Sequence, residues 1–265
     1  MNFEGKKKIN VDDANKIQLQ LSQNNTTIAL NALTVSNIDK IENAKIIISA
    51  LAKALKTNSK LEILRFNRIK LDKDVILILK EGLQQNTTLK KLIFHNNNIG
   101  NEETKAIAEV LNSSNVTKLE IANTGISIAN TNIGNEVAKE IAVALKSNTK
   151  LTDLAIAHIN IGDEGAQAIA EVLNSSNLTN LDIGYNKITD EGAKVIAEAL
   201  ANNTRLKELI ISDNHIGNEG GTAFLEAFKK NTTLKDLMIN YNHINDEIMK
   251  EINEGNKEKN TTAQL

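Results

Sequence analysis

One apolar frame, L-x-x-L-x-L followed by a polar step and an A-x-x-I-A-x-x-L run, recurs seven times along this 265-residue chain. Its first position falls at Leu61, Leu89, Val116, Leu151, Leu178, Leu206 and Leu234. The intervals are 28, 27, 35, 27, 28 and 28 residues, the long one being a single period plus seven. A fixed period in this range marks a solenoid, a stack of like units none of which can bury its own apolar face. Such a stack offers one long exposed surface in place of a closed pocket.

The unit from Leu206 to Thr233 shows the physics. Leu206, Leu209 and Ile211 are spaced as in a short strand with one buried face. Asn214 and Ile216 close the turn. Gly217-Asn218-Glu219-Gly220 then opens a helix, with an Asn able to cap its first turn. Gly221, Phe224, Leu225 and Phe228 follow at i, i+3, i+4 and i+7, which predicts one buried helical face. Asn231-Thr232-Thr233 ends the helix. Other units repeat the stripe as Ala138, Ile141, Ala142, Leu145, as Ala166, Ile169, Ala170, Leu173, and as Ala193, Ile196, Ala197, Leu200. Stacking such units requires parallel strands in register, one repeat apart.

Composition narrows the setting. With 31 basic and 33 acidic residues the formal charge is -2, no footprint for nucleic acid or an anionic membrane. No cysteine is present, so disulfides, thiolate zinc sites and a thiol nucleophile are excluded. No run of 18 apolar residues exists, so no membrane span is expected. The start, MNFEGKKKIN, has no apolar stretch behind its lysines, and a secretory signal peptide is not expected. A soluble protein of a reducing compartment, cytoplasmic and monomeric, fits this reading. The absence of proline and the 3% aromatic content suit thin Ile, Leu, Ala and Val layers better than one large core.

The consensus L-x-x-L-x-L-x-x-N-x-I-G-D/N-E-G-A-x-x-I-A-x-x-L-x-x-N-T-T, best matched over Leu178 to Thr204 and Leu206 to Thr233, resembles the ribonuclease-inhibitor-like leucine-rich repeat. The resemblance covers roughly Ile28 to Ile252. It implies an α/β horseshoe of about eight repeats, parallel strands on the concave face and α-helices on the convex face. It also implies binding of other proteins on the concave face and its rim. The family's ladder asparagine, whose amide bonds the backbone of adjacent turns, is present as Asn97, Asn186, Asn214 and Asn242. Ile69, Thr124 and Ile159 replace it elsewhere, which predicts a looser ladder in the N-terminal half.

Residues 1–27, with Ile17, Leu19 and Leu21, read as an N-terminal cap, and 28–253 as the solenoid. The first repeat is degenerate: Leu30, Leu33 and Val35 serve as strand, then Ala44, Ile47, Leu51 and Leu55 as helix stripe. Ile248 and Ile252 predict a short last helix, and residues 254–265 a polar, frayed tail. The long repeat carries an extra loop, Ser127 to Ile133, expected on the rim.

Catalytic signals are poor, and no catalytic, metal or cofactor-binding residue is assigned. Of the four histidines, His215 and His243 are one repeat apart, the spacing of two solvent-facing residues on adjacent turns. The recurring I-G-D/N-E-G places an acid at the helix mouth, where it repels phosphate. Sequons such as Asn86-Thr87-Thr88, Asn115-Val116-Thr117 and Asn231-Thr232-Thr233 recur with the period and read as helix-ending turns.

The variable strand letters remain. Those expected to project from the concave face include Arg65, Arg68, Lys91, Ile93, His95 and Glu120, then His158, Asp182, Tyr185, Ile210, Asp213, Met238 and Tyr241. Early strands are basic and later ones acidic, and both tyrosines stand immediately before a ladder asparagine. Tyr and Arg most often anchor protein interfaces. The sequence therefore reads as a non-enzymatic protein-binding module without cofactor, its partner unidentified. Delivery into a host cytosol as a bacterial effector is compatible with eukaryote-like repeats. The alternative is a GTPase-activating protein: the Ran GTPase activators are similar solenoids, although the strongly acidic C-terminal segment characteristic of them is absent here.

Overall fold

The computed structural model describes residues 32–122 and 133–262, together with Asn15. The expected N-terminal cap, Leu30, Thr124 and nearly all of the inserted loop lie outside the described residues. The chain divides into two compact units, Met1–Ser127 and Ile128–Leu265.

In the first unit strands β1 (Ala32–Ile38), β2 (Ile63–Ile69), β3 (Lys91–His95) and β4 (Lys118–Ala122) alternate with helices α1 (Ile41–Leu55), α2 (Lys73–Leu83) and α3 (Asn101–Ser113). The strands are parallel and ordered as in the sequence. Leu33, Leu64, Leu92 and Leu119 share one register row and Val35, Phe66, Phe94 and Ile121 another, all fully buried. Phe66 and Phe94 stack at 5.3 Å, filling with two rings a layer that Val and Ile fill elsewhere.

The second unit repeats the plan with β5 (Asp153–Ala157), β6 (Asn180–Asp182), β7 (Glu208–Ile210) and β8 (Asp236–Met238). Its helices are α4 (Ile133–Leu145), α5 (Asp163–Leu173), α6 (Asp190–Ala201), α7 (Asn218–Lys230) and α8 (Asp246–Thr262). Leu154, Leu181, Leu209 and Leu237 align in register. Every residue of the four helical stripes read from the sequence is buried. Helices of adjacent repeats exchange Lys139–Glu164 and Lys194–Glu219 ion pairs on their exposed sides.

Between repeats the backbone is satisfied by side chains. The ladder asparagines behave as the repeat pattern predicts: Asn186 Nδ2 donates to the carbonyls of Ile156, Ile183 and Gly184, and Asn214 Nδ2 to those of Ile183, Ile211 and Ser212. The expected weakness at isoleucine is only half present. The N–H groups of Ile69 and Ile159 are satisfied by Asn97 and Asn186 of the following repeat. What an Ile removes is the bond toward the preceding repeat, because the ladder runs one way along the stack.

A second asparagine series was not read from the sequence. Asn58, Asn86, Asn148, Asn203 and Asn231, just after the ends of α1, α2, α4, α6 and α7, are buried polar residues. Asn86 Nδ2 donates to the carbonyls of Leu55 and Asn58, while its Oδ1 accepts from the N–H groups of Thr88 and Leu89. Where the motif is N-S-S-N the task is divided. Ser176 bonds its own helix end, and Asn177 reaches back to the Thr149 carbonyl. The sequons are thus helix-ending turns, with the Asn86 and Asn231 amides committed to the interior.

Helix capping in the second unit corrects the sequence reading. The Asp or Asn that opens α5, α6 and α7 does not cap its own helix, and from α4 to α6 that residue caps the next one. Asn135 Oδ1 accepts from the N–H groups of Gly162 and Gly165, Asp163 Oδ1 from those of Thr189 and Gly192, and Asp190 Oδ1 from those of Gly217 and Gly220. The receiving third helical position is glycine for a steric reason. A Cβ there would lie 2.8 Å, 2.6 Å and 2.7 Å from the incoming oxygen at Gly165, Gly192 and Gly220. In the first unit that position is Val75 or Glu103, and capping stays inside the repeat: Asp72 Oδ1 accepts from the Val75 N–H, and Glu103 from the Gly100 N–H.

The last helix also differs from expectation, continuing nine residues beyond Asn253 through the segment read as a frayed tail. Three side chains hold it. Asn256 both accepts from the Leu237 N–H and donates to the Leu237 carbonyl, occupying the open edge of β8 as a further strand would. Asn260 donates to Asp236. Lys259 lies 4.2 Å over the Phe228 ring and donates to the Phe228 and Asn231 carbonyls that end α7. Burial, with repulsion from Lys235, pushes its ammonium below the usual lysine range. None of these residues belongs to an apolar period, so periodicity was blind to them.

Candidate functional site

On each unit the strand side is where the variable letters stand. In the first unit Arg65, Lys91, His95 and Glu120 lie on strands and are partly exposed, and Arg68 is exposed near the end of β2. Ile93 does not project as expected: it is 1% exposed. It stands in register between Arg65 and Glu120. Neighbours in a sheet are about 4.8 Å apart, so longer flanking side chains shade a short aliphatic one.

Glu120 is the centre of a charged cluster. His95 Nε2–H donates to its Oε1 at 2.6 Å and Lys91 Nζ pairs with its Oε2 at 2.7 Å. These contacts, the His95 hydrogen bond foremost, overcome the cost of burial and hold the carboxyl down at about 2. A folded-state value below the unfolded one of about 4.3 stabilises the fold above that pH, and the gain is lost as pH falls from there through about 2. Glu120→Gln should therefore weaken the first unit by about 1 kcal/mol at pH 7, discounted for partial exposure, and by nearly nothing at pH 2. Urea titrations at the two pH values check this; an equal deficit at both would place the effect in packing. Arg65 and Arg68 make no ion pair or hydrogen bond among the described residues, the carboxylate of Glu120 being already shared.

In the second unit the rows run Asp153, Asn180, Glu208, Asp236, then Ala155, Asp182, Ile210, Met238. Beyond the strands the hydrogen-bonded ladder continues into the turns through the N–H groups of His158, Tyr185 and Asp213, which donate to the carbonyls of Tyr185, Ser212 and Asn240. This sets His158, Tyr185, Asp213 and Tyr241 in a further row. All four are left-handed, with φ between 55° and 58°, as are Asn37, Arg68 and Asn96 at the same position in the first unit. Asn and Asp tolerate that region, whereas an aromatic residue there is strained. The His158 ring stacks on Tyr185 at 4.5 Å, and Asp213 beside Tyr185 raises the pKa of its hydroxyl. His215 and His243 stack at 6.0 Å with rings nearly parallel, an arrangement that does not converge on an ion. No group of three metal-ligating side chains occurs among the described residues.

Of the five large apolar side chains exposed among the described residues, Tyr185 (51%), Met238 (39%) and Tyr241 (80%) share this strand side. The other two, Ile46 and Val143, stand singly on α1 and α4.

Parallel strands each followed by a helix, stacked at a 28-residue period and bound by asparagine ladders, define a repeat scaffold. The family model described as Leucine Rich repeat matches residues 85–108, 147–170, 174–197, 202–225 and 230–252. The chain is a leucine-rich-repeat protein, a fold consistent with a protein-interaction module. No curated protein matches its sequence. Among solved structures, one described as leiomodin-1 actin-binding site 2 aligns over 62% of this chain and 89% of its own, at TM-score 0.50 and 24% identity, a likeness of fold. A tropomodulin C-terminal domain from Caenorhabditis elegans aligns over 96% of both chains at TM-score 0.31 and 12% identity. A Bacteroides fragilis protein aligns over 88% of this chain and 72% of its own at TM-score 0.47 and 13% identity. No helix among the described residues is long and apolar enough to cross a membrane.

Proposed function

We propose that this protein is a non-enzymatic binding module whose strand side, above all that of the second unit, receives a partner protein. The observation that carries the reading is the gathering of Tyr185, Met238 and Tyr241 on one face, with both tyrosines in a strained backbone region. Left-handed tyrosines cost stability, and Asn or Gly would serve the turn better. Keeping an aromatic ring there is reasonable where the ring itself does something.

Stability and binding should accordingly move in opposite directions. Tyr241→Asn removes a ring that is 80% exposed, so little packing is lost, and relieves the backbone. The second unit should gain about 0.5–1 kcal/mol in urea unfolding. The pair Tyr185→Asn and Tyr241→Asn should abolish retention of partner proteins by the immobilised full chain. Val143→Ala on α4 should leave retention intact. Retention by the strand variant and loss by the helix variant would move the interface to the helices.

A further inference from the structure

The chemistry of the same face narrows what it can bind, granted the reading of the strand side as the interface. Between the row ending Asp182, Ile210, Met238 and the row ending Tyr185, Asp213, Tyr241 lies a strip of short residues, Gly184, Ser212 and Asn240. Gly184 has no side chain to fill it: a Cβ there would stand 3.1 Å from the Ser212 carbonyl oxygen and 3.2 Å from Asp182 Oδ1. One side of the strip therefore carries carboxylate and aliphatic groups, and the other an aspartate set between two tyrosines. No lysine or arginine stands on any of the four rows, while five carboxylates do.

We propose that this strip receives an arginine side chain from an extended, basic segment of the partner. A guanidinium is flat enough to lie against a phenol ring, and its fork of N–H donors suits Asp213 and Asp182 on the two sides. The aliphatic stem is covered by Ile210 and Met238. A phosphate or acidic segment meets carboxylates here and is repelled. A lysine supplies charge without the planar fork, so the site ranks arginine above lysine. The Asp213 carboxylate stands close enough to Tyr185 for its charge to raise the pKa of that hydroxyl, and a carboxylate has lone pairs for an incoming donor.

The test uses the full chain and three labelled peptides, Gly-Arg-Gly-Arg-Gly-Arg-Gly and its Lys and Glu counterparts, followed by fluorescence anisotropy. The Arg peptide should bind, the Lys peptide more weakly and the Glu peptide not at all. Asp213→Asn and Tyr241→Asn, both compatible with the left-handed turn, should each weaken the Arg peptide about tenfold. Added salt should affect the Asp213→Asn variant less than the parent. Arg-peptide affinity unchanged in both variants, no Arg-peptide binding, or equal binding of the Glu peptide overturns the assignment. If the peptides fail but the tyrosine pair still governs partner retention, the strand side remains the interface and only its preference for arginine falls. If retention ignores the tyrosines while Asp213 governs the peptide, the strip stands as a cation site and the wider interface reading falls.

Discussion

Asn231→Ala should cost the second unit about 3–4 kcal/mol, more than any surface change in this protein. The side chain is 3% exposed and satisfies four backbone groups at once. Its Nδ2 donates to the Leu200 and Asn203 carbonyls, and its Oδ1 accepts from the N–H groups of Thr233 and Leu234. Alanine removes the side-chain partner of all four backbone groups at once. Asn231→Ser should lose about half as much, since serine already serves at Ser176 by bonding the Leu173 carbonyl. Urea unfolding gives the magnitudes. Amide exchange should show the loss concentrated in α7, β8 and α8, because a stack of repeats transmits strain mainly to its neighbours. A uniform loss over both units would contradict this account.

Gly82→Ala is the second large effect, and its sign is diagnostic. In an exposed helix the change gains up to about 1 kcal/mol from propensity alone. Here the new Cβ would stand 2.4 Å from the Ala52 carbonyl oxygen and 2.8 Å from the Ala52 Cα. Both are backbone atoms of the adjacent helix α1 and cannot swing aside as a side chain would. A loss of about 2–3 kcal/mol in the first unit is expected, with α1 and α2 forced apart. A stabilised Gly82→Ala variant in thermal or urea unfolding would sink the claim of close helix contact.

The legible part of this protein was its periodic part. Leu33, Leu64, Leu92 and Leu119 share a layer because each begins the same phrase, and the stripes at Ala166 or Phe224 are buried because helical spacing places them on one face. The ladder asparagines were legible for the same reason. The candidate surface was legible as a set of positions, since strand alternation tells which letters face outward. It was not legible in detail. Ile93 sinks beneath longer neighbours, and Glu120 pairs with both Lys91 and His95, because shading and pairing depend on distances between strands and not on spacing within one. The left-handed backbone of Tyr185 and Tyr241 carries no letter of its own, as Asp213 and Asn96 adopt it too.

The sequence by itself determined the unit: strand, turn and helix, the faces they bury, the parallel order, and the family to which the repeats belong. Each of these rests on spacing inside 28 residues, where local periodicity and burial agree. Tertiary structure alone decided how one unit is fastened to the next. Asp163 caps the helix after its own, Asn231 closes the turn of the preceding repeat, and Asn256 occupies the edge of β8. At the position of Gly82 the other repeats carry Ala54, Val110, Ala144, Val172, Ala199 and Ala227, so nothing in the repeat's letters marks it as a place where a methyl group is excluded. Backbone groups left unsatisfied by one unit take whichever side chain the neighbouring unit brings within reach, and reach is a property of the stack.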